Sequence, residues 1–355
     1  MQPFRASLMG LAEAGRQVLE ALLASPEIEL VAVADRNAEL LAGVLNEHRL
    51  AGYDDYRSLV VEPRADVVFV TTPPYAANEH IKLAAGRGLH VWRLAPVARS
   101  FEQASALVQA FQRAGTILRI GTRWRLAPAY TTLMTRRHEL GNVFLARVAM
   151  ITALPHELGW RGDSARAGGG VLLNHAFEAV DAVLWFLGLP DDVVATCSYV
   201  ARAQNTQSYD TEDTAVVLLR YARASAVITA SWLSGPAEQS FKLYGSQGSA
   251  TIQSGELVLH DAGGATQVIS PTLPANPFQA EVQAMVRAVS TGQPPEPATI
   301  RQQLQTVAVI EAAYLSARTG QPESPAALLR LHGCDLSGAG GMDRAIESAP
   351  PTPAD

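Results

Sequence analysis

The first part of the chain alternates short apolar runs with longer segments in which apolar residues recur every three or four positions. The short runs have the length of buried strands, and the longer segments have the periodicity of helices. The apolar runs are found at 5–10, 30–34, 66–71, 89–94 and 116–121. Strands that alternate with helices are typical of a parallel, doubly wound sheet. We therefore expect an α/β domain over residues 1–121.

The pattern changes after residue 121. A helical segment at 127–140 precedes a series of strand-like runs. These runs are found at 143–154, 193–203, 214–221, 226–233, 239–244, 250–253 and 256–260. Consecutive strands indicate a large, mostly antiparallel sheet, and helical periodicity returns at 277–291 and 299–319. We assign 122–332 to a second, α+β domain and 333–355, rich in Gly, Ala, Pro and Ser, to a disordered tail.

One helical segment of the second domain, 168–188, is apolar around most of its circumference, which predicts a buried helix. Asn174, Glu178 and Asp181 stand at positions i, i+4 and i+7, so a continuous helix places them on one narrow stripe. A buried polar group without a partner costs about 1–3 kcal/mol. These side chains therefore need protein partners, water or a ligand, unless they form the solvated edge of an amphipathic helix.

The first apolar run ends in a glycine turn between Gly10 and Gly15, and the next strand ends at Asp35. In dinucleotide-binding βαβ units, the helix N-terminus meets the pyrophosphate and an acid about 20 residues later accepts the ribose 2′-hydroxyl. Ala12 replaces the middle glycine, whose role is to let the backbone approach the pyrophosphate. Asp35 favours NAD over NADP because a carboxylate repels a 2′-phosphate, although Arg36 beside it weakens that preference. We therefore predict NAD as the cofactor.

Composition narrows the class of protein. The chain has 355 residues, of which 48% are hydrophobic and 17% charged, enough apolar material for two domains. Its net charge of −6 gives no electrostatic case for binding nucleic acid or an anionic membrane. The two cysteines, Cys197 and Cys334, show neither metal-ligand spacing nor a disulfide framework, and no run approaches the ~18 apolar residues of a membrane span. We expect a cytoplasmic protein with no metal, nucleic-acid or membrane partner.

Short motifs spread along the chain carry a family resemblance. They are the first βαβ unit, TTPP at 71–74, GLHVWRLAPVA at 88–98, RWRLAP at 123–128, WRGDSARAGGG at 160–170, YDTEDTAVV at 209–217, FKLYGSQGSATI at 241–252, FQAEVQAMVRAVSTGQPP at 278–295 and EAAYLSARTGQP at 311–322. Their order and spacing resemble those of the glucose–fructose oxidoreductase / inositol dehydrogenase / rhizopine catabolism (Gfo/Idh/MocA) family of NAD(P)-dependent oxidoreductases. The resemblance implies a Rossmann domain followed by an open-faced α/β domain whose large sheet builds a homo-oligomer, either a dimer or a tetramer.

The chain departs from this family at the residues that carry its chemistry. Family members usually have Glu-Lys-Pro after the fifth strand, with the lysine acting on the substrate hydroxyl, whereas Ala95 occupies that position here. Asn174 and Glu178 occupy the positions of an Asp and a His that usually face the substrate, and Ala77 replaces a further His. The predicted cofactor contacts are Gly10, Ala12, Gly15, Asp35, Arg36, Thr72, Pro73 and Pro96.

Two hypotheses about function remain. In the first, the protein is an oxidoreductase of sugar-, cyclitol- or amino-sugar-like alcohols that works by hydride transfer, with Glu178 as acid/base and Asn174 holding a substrate hydroxyl. Such a reaction needs a base within hydrogen-bond reach of the hydroxyl while hydride moves to or from the nicotinamide. The predicted additional substrate contacts are Arg125, Arg161, His175 and Asp181. The arginines bind and orient, since a pKa above 12 makes arginine a poor base.

Structural roles are the alternative for the same residues. Glu178 would then pair with an arginine from segment 160–166, and His175 would pack or cap locally. In the second hypothesis the site is retired, and the protein is a nucleotide- or sugar-binding subunit or a regulatory partner of an active relative. Loss of Lys, Asp and His together favours this second hypothesis, whereas retention of Asp35, Gly10 and Gly15 opposes it. A redox-neutral use of bound NAD is a third option that no residue selects.

Overall fold

In the computed structural model, the described residues are 2–153, 158–200, 209–233, 236–292 and 300–333. They form a six-stranded sheet from the first part of the chain and an eight-stranded sheet from the second. The Rossmann-like parallel sheet and the larger, mostly antiparallel sheet that we expected are both confirmed. Most of the predicted tail, 334–355, lies outside the described residues.

The first sheet is parallel throughout, in the order β3-β2-β1-β4-β5-β6. Its elements are β1 (Phe4–Met9), α1 (Glu13–Leu23), β2 (Ile28–Ala34), α2 (Ala38–Glu47), β3 (Ala51–Tyr53), α3 (Tyr56–Val61), β4 (Val67–Val70), α4 (Pro74–Gly86), β5 (His90–Leu94), α5 (Phe101–Ala114) and β6 (Leu118–Gly121). The strand order reverses between β1 and β4, whose carboxyl ends lead into Gly10 and Thr72. Ligands of doubly wound sheets bind at this switch point.

The second sheet has the order β14-β13-β12-β11-β7-β10-β9-β8, and its strands are antiparallel except at the β7–β10 pair. The elements are α6 (Pro128–Arg136), β7 (Val143–Ile151), α7 (Ser164–Ala167), α8 (Val171–Asn174), α9 (Phe177–Leu187), β8 (Asp192–Ser198), β9 (Thr214–Arg220), β10 (Ser225–Ser231), β11 (Glu238–Gly245), β12 (Gly248–Gln253), β13 (Glu256–Asp261), β14 (Thr266–Ile269), α10 (Gln279–Thr291), α11 (Ile300–Thr319) and α12 (Pro325–Leu331). Short 3-10 turns cover Arg123–Leu126, Arg137–Leu140 and Gly159–Gly162.

One face of the second sheet is buried and the other is open. On β10, Ala226, Ile228 and Ala230 are buried, whereas the alternating residues Val227 and Thr229 are only partly covered. The buried face packs against α9, whose residues are buried from Phe177 to Phe186. The apolar circumference that predicted a buried helix is thus explained, because α9 packs against both the sheet and α11.

Helix α10 joins the two halves of the molecule. Although it follows the second sheet in sequence, Phe278, Val282 and Met285 pack in the core of the first sheet. Its Glu281 accepts hydrogen bonds from Trp92 Nε1 at 3.0 Å and Arg119 Nε at 3.1 Å, and all three side chains are buried. The predicted domain division at residue 121 therefore describes the sheets and does not describe where α10 packs.

Several predicted boundaries differ from the structure. The predicted helix 127–140 is α6 followed by a 3-10 turn, and the strand predicted at 143–154 ends at Ile151. The strand predicted at 193–203 ends at Ser198, and its last residues lie outside the described ranges. Short elements such as β3 and α3 were missed because three to six residues are too few to show periodicity.

By length and composition, no single helix in the described ranges is long and apolar enough to cross a membrane. Segments Ser164–Asn174 and Phe177–Leu187 meet the criterion only as a pair bent by 48°, and most of the residues in α8 and α9 are buried in the core.

Candidate active site

The glycine turn has the geometry of an anion site. Gly10 has φ +99°, a conformation that favours glycine, and a Cβ on Gly15 would lie 2.2 Å from the Gly10 carbonyl oxygen. Helix α1 begins at Glu13, after Ala12, and no side chain in the described part of the chain caps its amino end. The N–H groups of the first helical turn are therefore available to an anion such as a pyrophosphate. Ala12 adopts an extended conformation, which suits an alanine.

Asp35 is tied to this turn. Its carboxylate accepts hydrogen bonds from the backbone N–H of Leu11 at 2.7 Å and of Asn37 at 2.8 Å. A carboxylate has about four acceptor positions, so acceptor capacity remains for a ribose hydroxyl. The guanidinium of Arg36 lies over the ring of Tyr56, 5.0 Å from its centroid, and burial raises the pKa of Tyr56 to about 12. Arg36 thus has an aromatic partner within the protein.

Two turns from neighbouring strands lie beside the glycine turn. Thr71 Oγ1 donates to the carbonyl oxygen of Gly10 at 3.0 Å, and a Cβ on Gly10 would collide with Thr71 and Thr72. Thr72 is buried, and its Oγ1 has no hydrogen-bond partner in the described part of the chain. After β5, the peptide bond between Ala95 and Pro96 is cis. These residues fit a nicotinamide nucleotide: a tight glycine cradle, an uncapped helix end, and a buried hydroxyl with capacity for a ligand.

The predicted continuous helix over 168–188 is wrong. The chain forms two helices, α8 and α9, and the axes on either side of His175 and Ala176 differ by 48°. The N–H groups of His175 and Ala176 both donate to the Val171 carbonyl oxygen at 2.9 Å, which ends α8 after one turn. Asn174 therefore does not share a stripe with Glu178 and Asp181.

Asn174 is held by the glycine segment that precedes it. Its Nδ2 donates to the carbonyl oxygen of Gly169 at 2.6 Å. Its Oδ1 is buried and has no hydrogen-bond partner in the described residues. Glu212 holds the same segment by accepting from the N–H groups of Gly170 at 2.6 Å and Leu172 at 2.9 Å. The side chain of Asn174 thus keeps a fixed orientation with one acceptor available.

Glu178 pairs with Arg123, and not with an arginine from 160–166 as we expected. Arg123 Nε donates to Glu178 Oε1 at 3.1 Å, whereas Arg166 in that segment pairs with Asp163. The Glu178 side chain is 11% exposed and that of Arg123 is 47% exposed, so the pair spans from the core to solvent. Burial raises the pKa of the Glu178 carboxyl, and the Arg123 charge opposes that shift. Glu178 Oε2 has no hydrogen-bond partner within the described ranges.

Asp181 has a fully buried, saturated environment. Arg125 binds its two carboxylate oxygens at 2.6 and 2.9 Å, and both side chains are almost completely buried. Gln303 Nε2 and Thr306 Oγ1 from α11 also donate to Asp181 Oδ1. The Arg125 guanidinium further lies 5.5 Å from the centroid of the Trp185 ring. This geometry favours a structural role for Arg125 and Asp181, and their predicted substrate contacts stay a prediction.

His175 lies within electrostatic reach of both Arg123 and Arg161. Burial lowers the pKa of His175, and the charges of Arg123 and Arg161 lower it further, so the imidazole is neutral near pH 7. Arg161 is exposed, and its guanidinium lies 4.8 Å from the centroid of Trp160. The Arg161 carbonyl oxygen accepts from Thr211 Oγ1 at 2.8 Å, which anchors this segment. The structure therefore brings His175 close to two arginine charges.

Sequence reasoning missed Arg123. It lies in the RWRLAP motif two residues before Arg125, which we singled out instead. The two arginines of the 3-10 turn point to different carboxylates of α9, Arg123 to Glu178 and Arg125 to Asp181. The signal available in the sequence was the pair Arg123 and Arg125 together with the pair of carboxylates Glu178 and Asp181, which are three residues apart on one helix.

Comparison with known proteins extends these observations. Residues 4–122 match the sequence model described as oxidoreductase family, NAD-binding Rossmann fold, and residues 133–251 match that of the GFO/IDH/MocA C-terminal domain. The nicotinamide cofactor expected from the glycine turn and Asp35 is thereby confirmed at the level of the NAD-binding domain.

Individual relatives span nearly the whole chain. D-xylose 1-dehydrogenase (NADP(+)) 2 of Haloferax volcanii is 27% identical over 88% of this chain and 97% of its own length. 1,5-anhydro-D-fructose reductase of Ensifer adhaerens is 27% identical over 89% of this chain and 97% of its own. A levoglucosan dehydrogenase in complex with NADH and L-sorbose has the same fold, with a TM-score of 0.85, 20% identity, and coverage of 91% and 99% of the two chains.

Proposed function

Because the chain belongs to the Gfo/Idh/MocA family of oxidoreductases, we propose that it transfers hydride between NAD and a sugar-, polyol- or amino-sugar-like alcohol, with Glu178 as the acid/base. The observation that carries this proposal is the position of Glu178. Its carboxylate is buried, Arg123 holds one oxygen, and the other has no partner in the described structure. Sugar dehydrogenases and reductases among the relatives support the substrate class.

The cofactor supplies the hydride acceptor or donor, and residues of the first sheet hold it. Gly10, Ala12 and Gly15 place the amino end of α1 against the pyrophosphate. Asp35 accepts from the ribose 2′-hydroxyl, which favours NAD over NADP, and Arg36 stays on Tyr56. Thr72 and Pro73 on one turn and Pro96 on another border the nicotinamide half.

Glu178 replaces the usual proton carrier of this family. Burial raises the pKa of the Glu178 carboxyl, so it keeps its proton to higher pH than an exposed carboxyl and can exchange it with a hydroxyl within hydrogen-bond reach. Arg123 keeps the carboxyl in place and balances the charge when the proton leaves. Asn174 Oδ1 is available to accept from a second substrate hydroxyl. His175, close to the charges of Arg123 and Arg161, and Arg161 itself provide further substrate contacts. The buried Arg125–Asp181 pair fixes α9 beneath them.

The competing proposal is a catalytically retired subunit that binds a nucleotide or sugar, or regulates an active relative. Ala95 favours it, because a methyl group at the position of the family lysine cannot donate a hydrogen bond or carry a proton. Under this proposal Glu178 serves only its ion pair with Arg123. The two proposals differ in turnover, and only hydride transfer requires that the cofactor binds.

The experiment is a titration of the cofactor-stripped protein with NADH and NADPH, followed by a screen of ketoses and other oxidised sugars for loss of NADH absorbance. We expect saturable NADH binding that is tighter than NADPH binding, and turnover with one class of sugar. Glu178→Gln should abolish most turnover with unchanged NADH affinity, and the exposed Glu139→Gln serves as the control. Tight NADH binding without turnover on any sugar would favour the retired subunit. No NADH binding would contradict hydride transfer and leave only the sugar-binding or regulatory form of the retired subunit.

The open face of the second sheet supports a homo-oligomer, a dimer or a tetramer, as the assembly. Partly covered Leu145 and Val227 and exposed Val216 lie on the face opposite the buried one. A second copy of the sheet would remove this area from water. The described Cys197 is free and partly buried, which is consistent with a reducing, cytoplasmic compartment.

A further inference from the structure

Arg93, the penultimate residue of β5, is buried below two turns of the candidate cofactor site. Its side chain is 1% exposed. Nε donates to the carbonyl oxygen of Leu94 at 3.1 Å, and Nη1 donates to that of Val97 at 2.8 Å. Nη2 makes a longer contact, 3.5 Å, with the carbonyl oxygen of Thr72. One guanidinium therefore contacts both ends of the turn that contains Ala95 and Pro96, as well as the turn that begins at Thr72.

The partners of Arg93 are unusual for a buried cation. Nη1 also donates to Asn78 Oδ1 at 2.9 Å, so its partners are three carbonyl groups of the backbone and one side-chain amide. No described carboxylate lies within ion-pair distance of Arg93. Burial lowers the pKa of Arg93 to about 9. A buried charge that lacks a counter-ion destabilises the fold. The hydrogen bonds from Arg93 to the two turns therefore serve a purpose other than stability.

A series of hydrogen bonds continues from Arg93 to the segment around Ala165. Asn78 Nδ2 donates to Gln103 Oε1 at 3.1 Å, and Arg99 Nε donates to the same oxygen at 3.3 Å. Arg99 Nη1 then donates to the carbonyl oxygen of Ala165 at 2.6 Å. A chain of four side chains thus connects the turn at Ala95 to the segment that carries Trp160 and Arg161.

We propose that Arg93 is the positioning residue of the nicotinamide pocket. Its guanidinium holds the turns at 72–73 and 94–97 at the separation that receives the nicotinamide ring. This inference rests on the proposed function, because it requires that the site binds NAD. Where the family lysine is an alanine, no side chain at that position can contact the ring with a polar group, so the backbone of the two turns sets the shape of the pocket. Arginine suits this task because its planar fork supplies several donors in fixed directions, which lysine does not.

The test compares two ligands that share the adenosine and pyrophosphate groups. NADH reaches the two turns through its nicotinamide, whereas ADP-ribose lacks the nicotinamide and depends on the glycine turn and Asp35. Calorimetric titrations with NADH and ADP-ribose would be made on the wild-type protein, Arg93→Lys and the control Arg119→Lys. Arg119 is an equally buried arginine on the adjacent β6 that bonds Glu281.

We expect Arg93→Lys to weaken NADH binding at least tenfold while ADP-ribose affinity changes less than twofold. Arg119→Lys should lower thermal stability and leave the ratio of the two affinities unchanged. An equal loss for both ligands in Arg93→Lys, or no loss for either, would overturn the inference. Wild-type protein that binds ADP-ribose but not NADH would overturn the proposed function itself.

A second variant keeps the test independent of whether Arg93→Lys folds. Asn78→Ala removes one acceptor of the Arg93 guanidinium and leaves the three carbonyl groups in place. We expect a two- to fivefold loss of NADH affinity with ADP-ribose affinity unchanged. An unchanged NADH affinity in a folded Asn78→Ala protein would also contradict the positioning role.

Discussion

Glu178 and Asp181 lie within one turn of the same helix and meet opposite surroundings. Asp181 is fully enclosed, and donors from Arg125, Gln303 and Thr306 occupy its oxygens. Glu178 lies in the first turn of α9, where half-exposed Arg123 binds one of its oxygens only. A carboxylate whose acceptor positions are filled by protein stabilises a fold, whereas a buried carboxylate with one oxygen available can act on a ligand.

The largest expected difference between the two carboxylates is in how much each ion pair contributes to the free energy of unfolding. Replacing Arg125 with Met leaves the Asp181 charge buried with neutral donors only, and breaking such a pair costs about 3–5 kcal/mol. We expect the free energy of unfolding, measured by urea denaturation, to fall by this amount. A loss below about 1 kcal/mol would contradict the structural role of the Arg125–Asp181 pair.

A smaller effect is expected at Glu178, with a pH dependence. Burial raises the pKa of this carboxyl in the folded state above its ordinary value of 4.5, so ionisation weakens folding as the pH rises through the raised pKa. Glu178→Gln should therefore match the wild type near pH 4 and be more stable than it by roughly 1 kcal/mol at pH 8. Thermal unfolding across this range is the measurement. A variant that is less stable at pH 8 would assign Glu178 to structure.

The smallest effect is expected at Arg123. Its side chain is 47% exposed, so its ion pair with Glu178 is screened by solvent, and Arg123→Met should change stability by less than about 1 kcal/mol. The substitution should also raise the pKa of Glu178 further, because the Arg123 charge opposes the effect of burial. The range over which stability falls with rising pH should then extend to higher pH than in the wild type, which thermal unfolding across the same pH range would show. A loss as large as that of Arg125→Met would remove the contrast between the two pairs.

Much of the fold could be predicted from the sequence because its signals are periodic. Alternating apolar runs and helical segments predicted the parallel sheet, and the series of strands predicted the antiparallel one. The break at His175 could not be predicted, because it depends on hydrogen bonds from two successive N–H groups to Val171 and leaves no mark on hydrophobic periodicity. The pairing of α9 with the 3-10 turn also depends on tertiary contact.

The candidate site divides in the same way. Gly10, Gly15 and Asp35 were predictable because they are local, within one βαβ unit. The sequence could not identify Arg93 as a candidate site residue. The proposed role depends on hydrogen bonds to carbonyl groups of two turns, which only the fold brings together. The partner of Glu178 lies 55 residues away in sequence and needed the fold to identify it.

The most direct test of the account is transfer of deuterium from NADH labelled at C4 of the nicotinamide to an oxidised sugar, followed by mass spectrometry of the product. We predict labelled alcohol from the wild-type protein and from Glu139→Gln, and a rate about 10²–10⁴-fold lower from Glu178→Gln, the usual contribution of a general acid or base. An equal rate from Glu178→Gln would contradict the assignment of the acid/base. Wild-type protein that binds NADH but transfers no label to any sugar would contradict hydride transfer as its function.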